Sequence, residues 1–266
     1  SVLQRLTGAE SCLLGIVSGC GSKLVNYPLL VIKNNKQQGV QTSFSPRKLY
    51  RGLPVGLLNL GGTTAVQFGT TGFFQKLLRK SVTQDDNAVQ LGGAFLGGLA
   101  SGVPCSLWEL TMIQQQRFGG SVVGVPLNVL KEYGVGGLTR GMVMTLGRES
   151  LFTLGMLGVP PGIQQLLKDR SGFDSDVALA VGALAGSCFS ATLTHPLDTI
   201  KTCQQGDIGK VKWASASQCY RILLEESSFR GLFKGLGWRI SLITTTFFLV
   251  NRIKEAVVPT MFPHLL

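Results

Sequence analysis

Asp198 and Lys201 stand three residues apart at the end of a run of small and apolar residues, and Gln205 follows one turn later. On a helix that spacing puts all three on one face. A single copy would be an intrahelical ion pair in solvent, but the pattern recurs. The chain reads PLLVIKNNKQ from Pro28, LWELTMIQQQ from Leu107 and PLDTIKTCQQ from Pro196, and the three align without gaps. Downstream, LYRG ending at Gly52, LTRG ending at Gly141 and LFKG ending at Gly235 repeat in the same order, each opening an apolar stretch. Charges so close to apolar segments are costly in a membrane and face a cavity or a partner. Arg148 and Glu149 sit inside another apolar segment. They form either a structural pair bonded to neighbouring helices or a site that takes a carboxylate on the arginine and an ammonium on the glutamate. Lys23 lines a cavity or snorkels to an interface.

The elements that carry these residues follow from composition. Of 266 residues, 44% are hydrophobic and only 15% charged, which excludes an ordinary soluble domain of this length. The 35 glycines suit helices that approach closely in lipid. Uncharged runs at 53–75, 87–108, 150–167 and 177–197, with weaker ones at 11–32 and at 240–251 extended back to Gly235, predict six membrane helices with both termini on one side. The connections 33–51 and 201–234 are net basic and so face the negative, interior compartment. The six cysteines form no C-x-x-C pair and the two histidines stand apart, so no metal site or cofactor is expected; His195 is expected to pack on Pro196. The net charge of +11 lacks the dense, aromatic-interleaved patch that nucleic acid needs. No nucleophile, base and metal-ligand constellation marks an enzyme. The amino terminus has no arginine- and serine-rich transit segment, so any targeting is internal or already processed.

With three motifs in register, the chain resembles the mitochondrial carrier family. That family's signature P-x-[DE]-x-x-[KR], followed by a glutamine and then by an aromatic-basic-glycine step, recurs three times. The resemblance covers nearly the whole chain. It implies an all-α membrane protein whose six transmembrane helices form three tandem helix-pair repeats, at 1–84, 85–174 and 175–266, with pseudo-threefold symmetry. It also implies a multi-pass protein of the inner mitochondrial membrane, both termini in the intermembrane space, exchanging a small solute by alternating access without a cofactor. The implied partners are the bilayer, with cardiolipin at the matrix-side helix ends, and the solute.

In the family each motif acid pairs with the base of the next repeat to close the matrix side. Here the resemblance implies Glu109 with Lys201, Asp198 with Lys33, and Leu30 with Met112. The third pair is apolar: both members are replaced together, which leaves no orphaned buried charge. Gln37, Gln116 and Gln205 occupy the position that braces the ring. Pro28 and Pro196 supply helix bends, and in the second repeat Pro104 lies about one turn before Leu107. The implied substrate contacts are Arg148 and Glu149, with Asn59 and Leu60 at the equivalent positions of the second helix, Leu242 or Arg239 on the sixth, and Lys23 on the first. The family's outer gate, F-x-x-[YF]-[DE]-x-x-[KR], is replaced by Phe68, Thr71, Gly72 and Gln75 on the second helix. On the fourth it is replaced by Leu157, Pro160, Pro161 and Gln164, and the sixth offers Arg252 or Glu255. The first matrix connection is the shortest and predicts no surface helix there. Two readings result: a carrier of an amino-acid-like or carnitine-like zwitterion, or a transport-incompetent carrier fold serving as a structural subunit or adaptor in a larger inner-membrane complex.

Overall fold

The computed structural model describes residues 8–82, 85–155 and 175–261. Among them the chain is all helix and turn, in a long-short-long order that repeats. First come α1 (Gly8–Gln38), α2 (Pro46–Leu49) and α3 (Leu53–Ser81). Next are α4 (Asp86–Phe118), α5 (Gly124–Leu138) and α6, whose described part is 142–155. The last set is α7 (Ser175–Gly206), α8 (Ala216–Ser227) with a 3-10 turn at Ser228–Phe233, and α9 (Leu236–Met261). The repeat boundaries expected after residues 84 and 174 lie outside the described residues. At 1.5 Å per residue the 31 residues of α1 span about 46 Å, more than the hydrocarbon core of a bilayer. By length and composition alone, Leu13–Gln38 and Asp86–Phe118 are long and apolar enough to cross a membrane. The spans expected from uncharged runs end at the first charge, whereas the helices continue: α7 carries its helix past Asp198 and Lys201 to Gly206. Pro28, Pro104 and Pro196 all lie inside continuous helices.

The short first connection does hold a helix, contrary to expectation. It is the single turn α2, with Pro46 fixing φ in its first turn. One turn needs only about 6 Å of rise, which the connection accommodates.

Glycine sets the packing. On α4, Gly93 and Gly97 face Gln75 and Thr71 of α3, while Gly98 and Gly102 face the backbone of α6 at Glu149, Ser150 and Leu146. A side chain on this stripe would hold the flanking helices apart. Contacts between α1 and α9 bring the last helix back to the first, and α7 touches both α1 and α4. The bundle is therefore cyclic.

Its threefold character is clearest at three turns. Gly52, Gly141 and Gly235 have φ of +81°, +74° and +85°, a region that favours glycine. A methyl on each would lie 3.1 Å from the carbonyl oxygen of Met112, 3.3 Å from that of Lys201 and 3.3 Å from that of Lys33. Met112, Lys201 and Lys33 are the three basic-position residues of the motifs, each met by the turn of the preceding repeat. A second equivalence involves the residue before each motif proline. Tyr27 donates through its hydroxyl to the Arg51 carbonyl at 2.8 Å, and His195 donates through Nε2 to the Lys234 carbonyl at 3.0 Å. His195 thus reaches the next turn, with its ring stacked on Phe233.

Candidate functional site

The ring forms where α1, α4 and α7 converge at their motif ends. Lys33 pairs with Asp198. Lys201 Nζ lies 3.0 Å from Glu109 Oε2 and 3.3 Å from Asp198 Oδ1, so one lysine joins two acids. Only 2% of the Lys201 side chain and 3% of that of Asp198 are exposed, which means that these charges depend on one another rather than on water. Leu30 packs against the buried apolar cluster of Tyr27, Val31, Val55 and Met112. The third seam is therefore a packed contact.

The three glutamines are not equivalent. Gln37 donates to Asp198 Oδ2 at 2.9 Å and braces the Lys33 pair. Gln116 lies beside the apolar seam, where there is no ion pair to brace, and bonds the Tyr27 hydroxyl and Asn34 instead. Gln205 donates to the Ser106 carbonyl and hydroxyl oxygens.

The even helices add charges to the ring. Arg148 of α6 donates through Nη2 to both oxygens of Glu109 at 3.0 Å, lies 2.5 Å from Glu149 Oε1, and holds Nε 3.7 Å from Asp198 Oδ1. Cys105 donates to Glu149 at 3.5 Å. Arg239 of α9 donates to Thr194 at 3.0 Å and holds Nη1 3.8 Å from Asp198 Oδ2. Asp198 is thus ringed by Lys33, Lys201, Arg148 and Arg239. Arg148, and Arg239 as the alternative to Leu242, both expected as substrate contacts, are drawn into the ionic ring. Asn59 accepts from Thr63, Lys23 lies against Gly56, and Leu60 lies against Gly19. Leu242 is half-buried, with no polar group to contribute.

The surface elements hold the helix ends that carry the ring. Arg140 donates to the carbonyls of Gln204, Asp207, Ala214 and Trp213, clamping the end of α7. Asp207 accepts from the backbone of Val211, Lys212 and Trp213. Burial pushes its carboxyl upward, but those bonds and the nearby Arg140 outweigh it and hold the group below the usual carboxylate range. On the other side, α8 packs Cys219 and Leu223 with Trp213 against Ile200 and Cys203 of α7. The sequence signal for Arg140 was its place before Gly141 in the second turn, and for Tyr27 and His195 their place before the prolines.

At the other end of the bundle two ion pairs are local. Arg252 and Glu255 sit 3.1 Å apart within α9, both exposed, and Arg79 pairs with Asp86 at the junction of α3 and α4. Thr71 and Gln75 face the α4 glycines, and Phe68 is exposed. Leu157, Pro160, Pro161 and Gln164 lie outside the described residues. An open groove of about 800 Å³ beside the motif end is lined in part by Arg117, Tyr133 and Lys212. Its basic groups are already engaged, Arg117 with the Gly206 carbonyl and Lys212 with Glu226. No cluster that could hold a metal occurs among the described residues.

A family model described as mitochondrial carrier protein matches residues 176–259. The chain is 28% identical over 269 residues to the human mitochondrial electrogenic aspartate/glutamate antiporter, an alignment covering 90% of this chain and 39% of that protein. It is 24% identical over 252 residues to a tricarboxylate transporter of Gibberella moniliformis, covering 85% and 80%. It is 25% identical over 261 residues to the mitochondrial arginine transporter of Arabidopsis thaliana, covering 90% and 84%. The chain thus spans about two fifths of the length of the human antiporter it matches.

Proposed function

We propose that the chain is a mitochondrial carrier, on the match of residues 176–259 and the near full-length similarity to carriers, and that it moves a small carboxylate-bearing metabolite across the inner mitochondrial membrane by alternating access. The observation that carries the reading is the inter-repeat ionic ring, Lys33 with Asp198 and Lys201 with Glu109. Pairs of this kind lose most of their Coulomb gain to desolvation, so they close a path without locking it. Arg148 stands on an even helix and already binds two carboxylates, and a solute carboxylate entering from the open side competes for the same guanidinium. That exchange would loosen Glu109 and couple solute binding to ring opening. An amino-acid-like solute fits, its carboxylate on Arg148 and its ammonium on Glu149. The named substrates of the relatives include acidic amino acids, a tricarboxylate class and arginine, so kinship supports a metabolite carrier and leaves the charge of the solute to this chain's own residues.

Residues 1–84, 85–174 and 175–266 would be the three repeats, and both termini would face the intermembrane space, because the basic connections face the matrix. Gln37 would brace the gate while Pro28 and Pro196 bend the helices that form it. Asn59, Leu60, Leu242 and Lys23 would line the solute path. Cardiolipin would lie at the matrix-side helix ends.

The apolar Leu30 and Met112 seam supports a second reading, a carrier fold retained as a structural subunit of an inner-membrane complex. Uptake by proteoliposomes of labelled amino acids, carboxylates, carnitine and nucleotides separates the two. Uptake of any solute that falls when Arg148 is changed to Ala supports the carrier. No uptake of any, with tight co-purification in a larger complex, supports the subunit.

A further inference from the structure

Arg51, Arg140 and Lys234 hold equivalent places in the three turns that open the even helices. Arg140 donates to the carbonyls of Gln204, Asp207, Ala214 and Trp213, and Lys234 lies 3.6 Å from Glu226. The Arg51 guanidinium makes no hydrogen bond or ion pair among the described residues, and neither does the ammonium of Lys48, three residues earlier. The cause is the shortened first connection, 33–51, which holds no acid.

Both cations line a cavity of about 320 Å³ together with Arg117, in the last turn of α4. Arg117 uses only Nη1, on the Gly206 carbonyl. A methyl on Gly119, just past α4, would lie 3.8 Å from Arg51 Cζ, so the first turn and the end of α4 face each other across the cavity. No acid lines it. Its wall also carries the buried Asn35, whose side chain makes no hydrogen bond among the described residues. Three cations converging without a counter-charge repel one another, and an anion among them turns that repulsion into attraction.

The cavity lies between α1, α2 and α4, beside the seam where Leu30 and Met112 stand in place of an ion pair. None of the ring residues lines it. An anion held by Lys48 and Arg51 of one repeat and by Arg117 of the next would cross that seam. Guanidinium forks match phosphoryl oxygens bidentately, and the volume is at the lower end of the range of about 300–1,000 Å³ usual for ligand pockets. Only three of the ten lining residues are apolar, which gives an acyl chain no wall to lie on and favours a soluble anion over a lipid.

We infer that this cavity binds a small soluble phosphate-bearing anion, the size of pyrophosphate or a phosphate monoester, which clips the first repeat to the second and supplies the ionic link that the apolar seam lacks. The site does not depend on the identity of the solute. Its effect, to hold the ring closed and restrain transport, rests on the carrier reading.

Thermal unfolding of the purified full chain, in detergent with one fixed level of cardiolipin and at constant ionic strength, tests the clip without requiring transport. Millimolar pyrophosphate raises Tm by about 5 °C, while chloride and acetate raise it by less than about 1 °C. Arg51→Gln and Arg117→Gln, from the two sides of the seam, each lose most of that rise. Arg47→Gln, which changes a neighbouring exposed cation outside the cavity, keeps it. Should either of the first two fail to fold, Lys48→Gln, at an exposed side chain, carries the comparison and loses at least half of the rise. An equal rise with chloride, a full rise in any of the three cavity variants, or no rise in the wild type overturns the inference. So does a rise that disappears as cardiolipin is increased, which assigns the cavity to the lipid headgroup. In proteoliposomes, pyrophosphate on both faces slows wild-type uptake at least twofold and does not slow uptake by Arg51→Gln; unaffected wild-type uptake overturns the restraint on transport. No uptake of any solute, with the Tm response intact, keeps the clip and sinks the carrier.

Discussion

Replacing Asp198 by Asn removes one negative charge from the centre of four cations and leaves the shape of the side chain nearly unchanged. The amide oxygen can still accept from Gln37, so the hydrogen bond of 2.9 Å survives and the charge alone is tested. In the native ring, Lys201, Arg148 and Arg239 lie 3.3, 3.7 and 3.8 Å from the carboxylate oxygens, and Lys33 is in direct contact. At an effective dielectric of about 20, each contact near 4 Å is a gross attraction of about 4 kcal/mol. Desolvation of the carboxylate offsets most of that sum, so the expected net loss is about 3–5 kcal/mol, the range for breaking a buried pair. For a chain of this size that corresponds to a fall in Tm of about 10 °C. Lys33→Gln alone should cost a similar amount, while the double variant should cost less than the two together by about 1–3 kcal/mol, because it leaves one fewer orphaned cation. Thermal unfolding of the four proteins in one detergent completes the cycle. A change of under about 2 °C in Asp198→Asn, or strict additivity in the cycle, refutes the ionic ring as a source of stability.

Four further outcomes follow from particular contacts. Leu30→Asp places an unpaired carboxylate in the apolar seam and should cost about 3 kcal/mol, and adding Met112→Lys should recover at least half of the Tm loss. Gly52→Ala and Gly39→Ala both strain a positive φ, but only Gly52 would push a methyl against Met112 and Tyr27, so its Tm should fall at least twice as far. Asp207 is held below the usual carboxylate range, so its share of stability is present above the unfolded aspartate value of about 4 and is lost as pH falls through the lower folded value. An acid titration followed by tryptophan fluorescence should show that late transition in the wild type, and Asp207→Asn should abolish it. His195→Leu, which removes the bond to Lys234, should raise protease access at the turn before Gly235 without changing helix content by circular dichroism.

The three-repeat order and the helix pairs were legible in the sequence, because a gapless internal repeat fixes which positions are equivalent, and the two ionic contacts between repeats followed from the family resemblance those motifs carry. Lys33 meets Asp198, as the family's pairing of each motif acid with the base of the next repeat implies. Legibility ended where side chains reach between helices with no repeat to guide them. Arg148 and Arg239 occupy different positions in their repeats, so alignment alone could not bring both to Asp198. The glutamines show the reverse error: equivalent positions suggested equivalent bonds, but the apolar third seam leaves Gln116 to Tyr27. The one-turn α2 was missed because connection length limits a helix without forbidding a single turn. Helix ends were drawn short because charges held by partners do not stop a helix as charges in solvent or lipid would.

The claim that the ring of α1, α4 and α7 opens and closes during a transport cycle is most directly tested by locking the seam between Leu30 and Met112. A Leu30→Cys/Met112→Cys protein, with each single variant as control, is reconstituted in liposomes holding an internal counter-solute, and uptake is measured before and after a short thiol crosslinker and again after its cleavage. The account predicts that crosslinking stops uptake in the double variant alone and that cleavage restores it. Uptake that continues at full rate with the seam locked would contradict it.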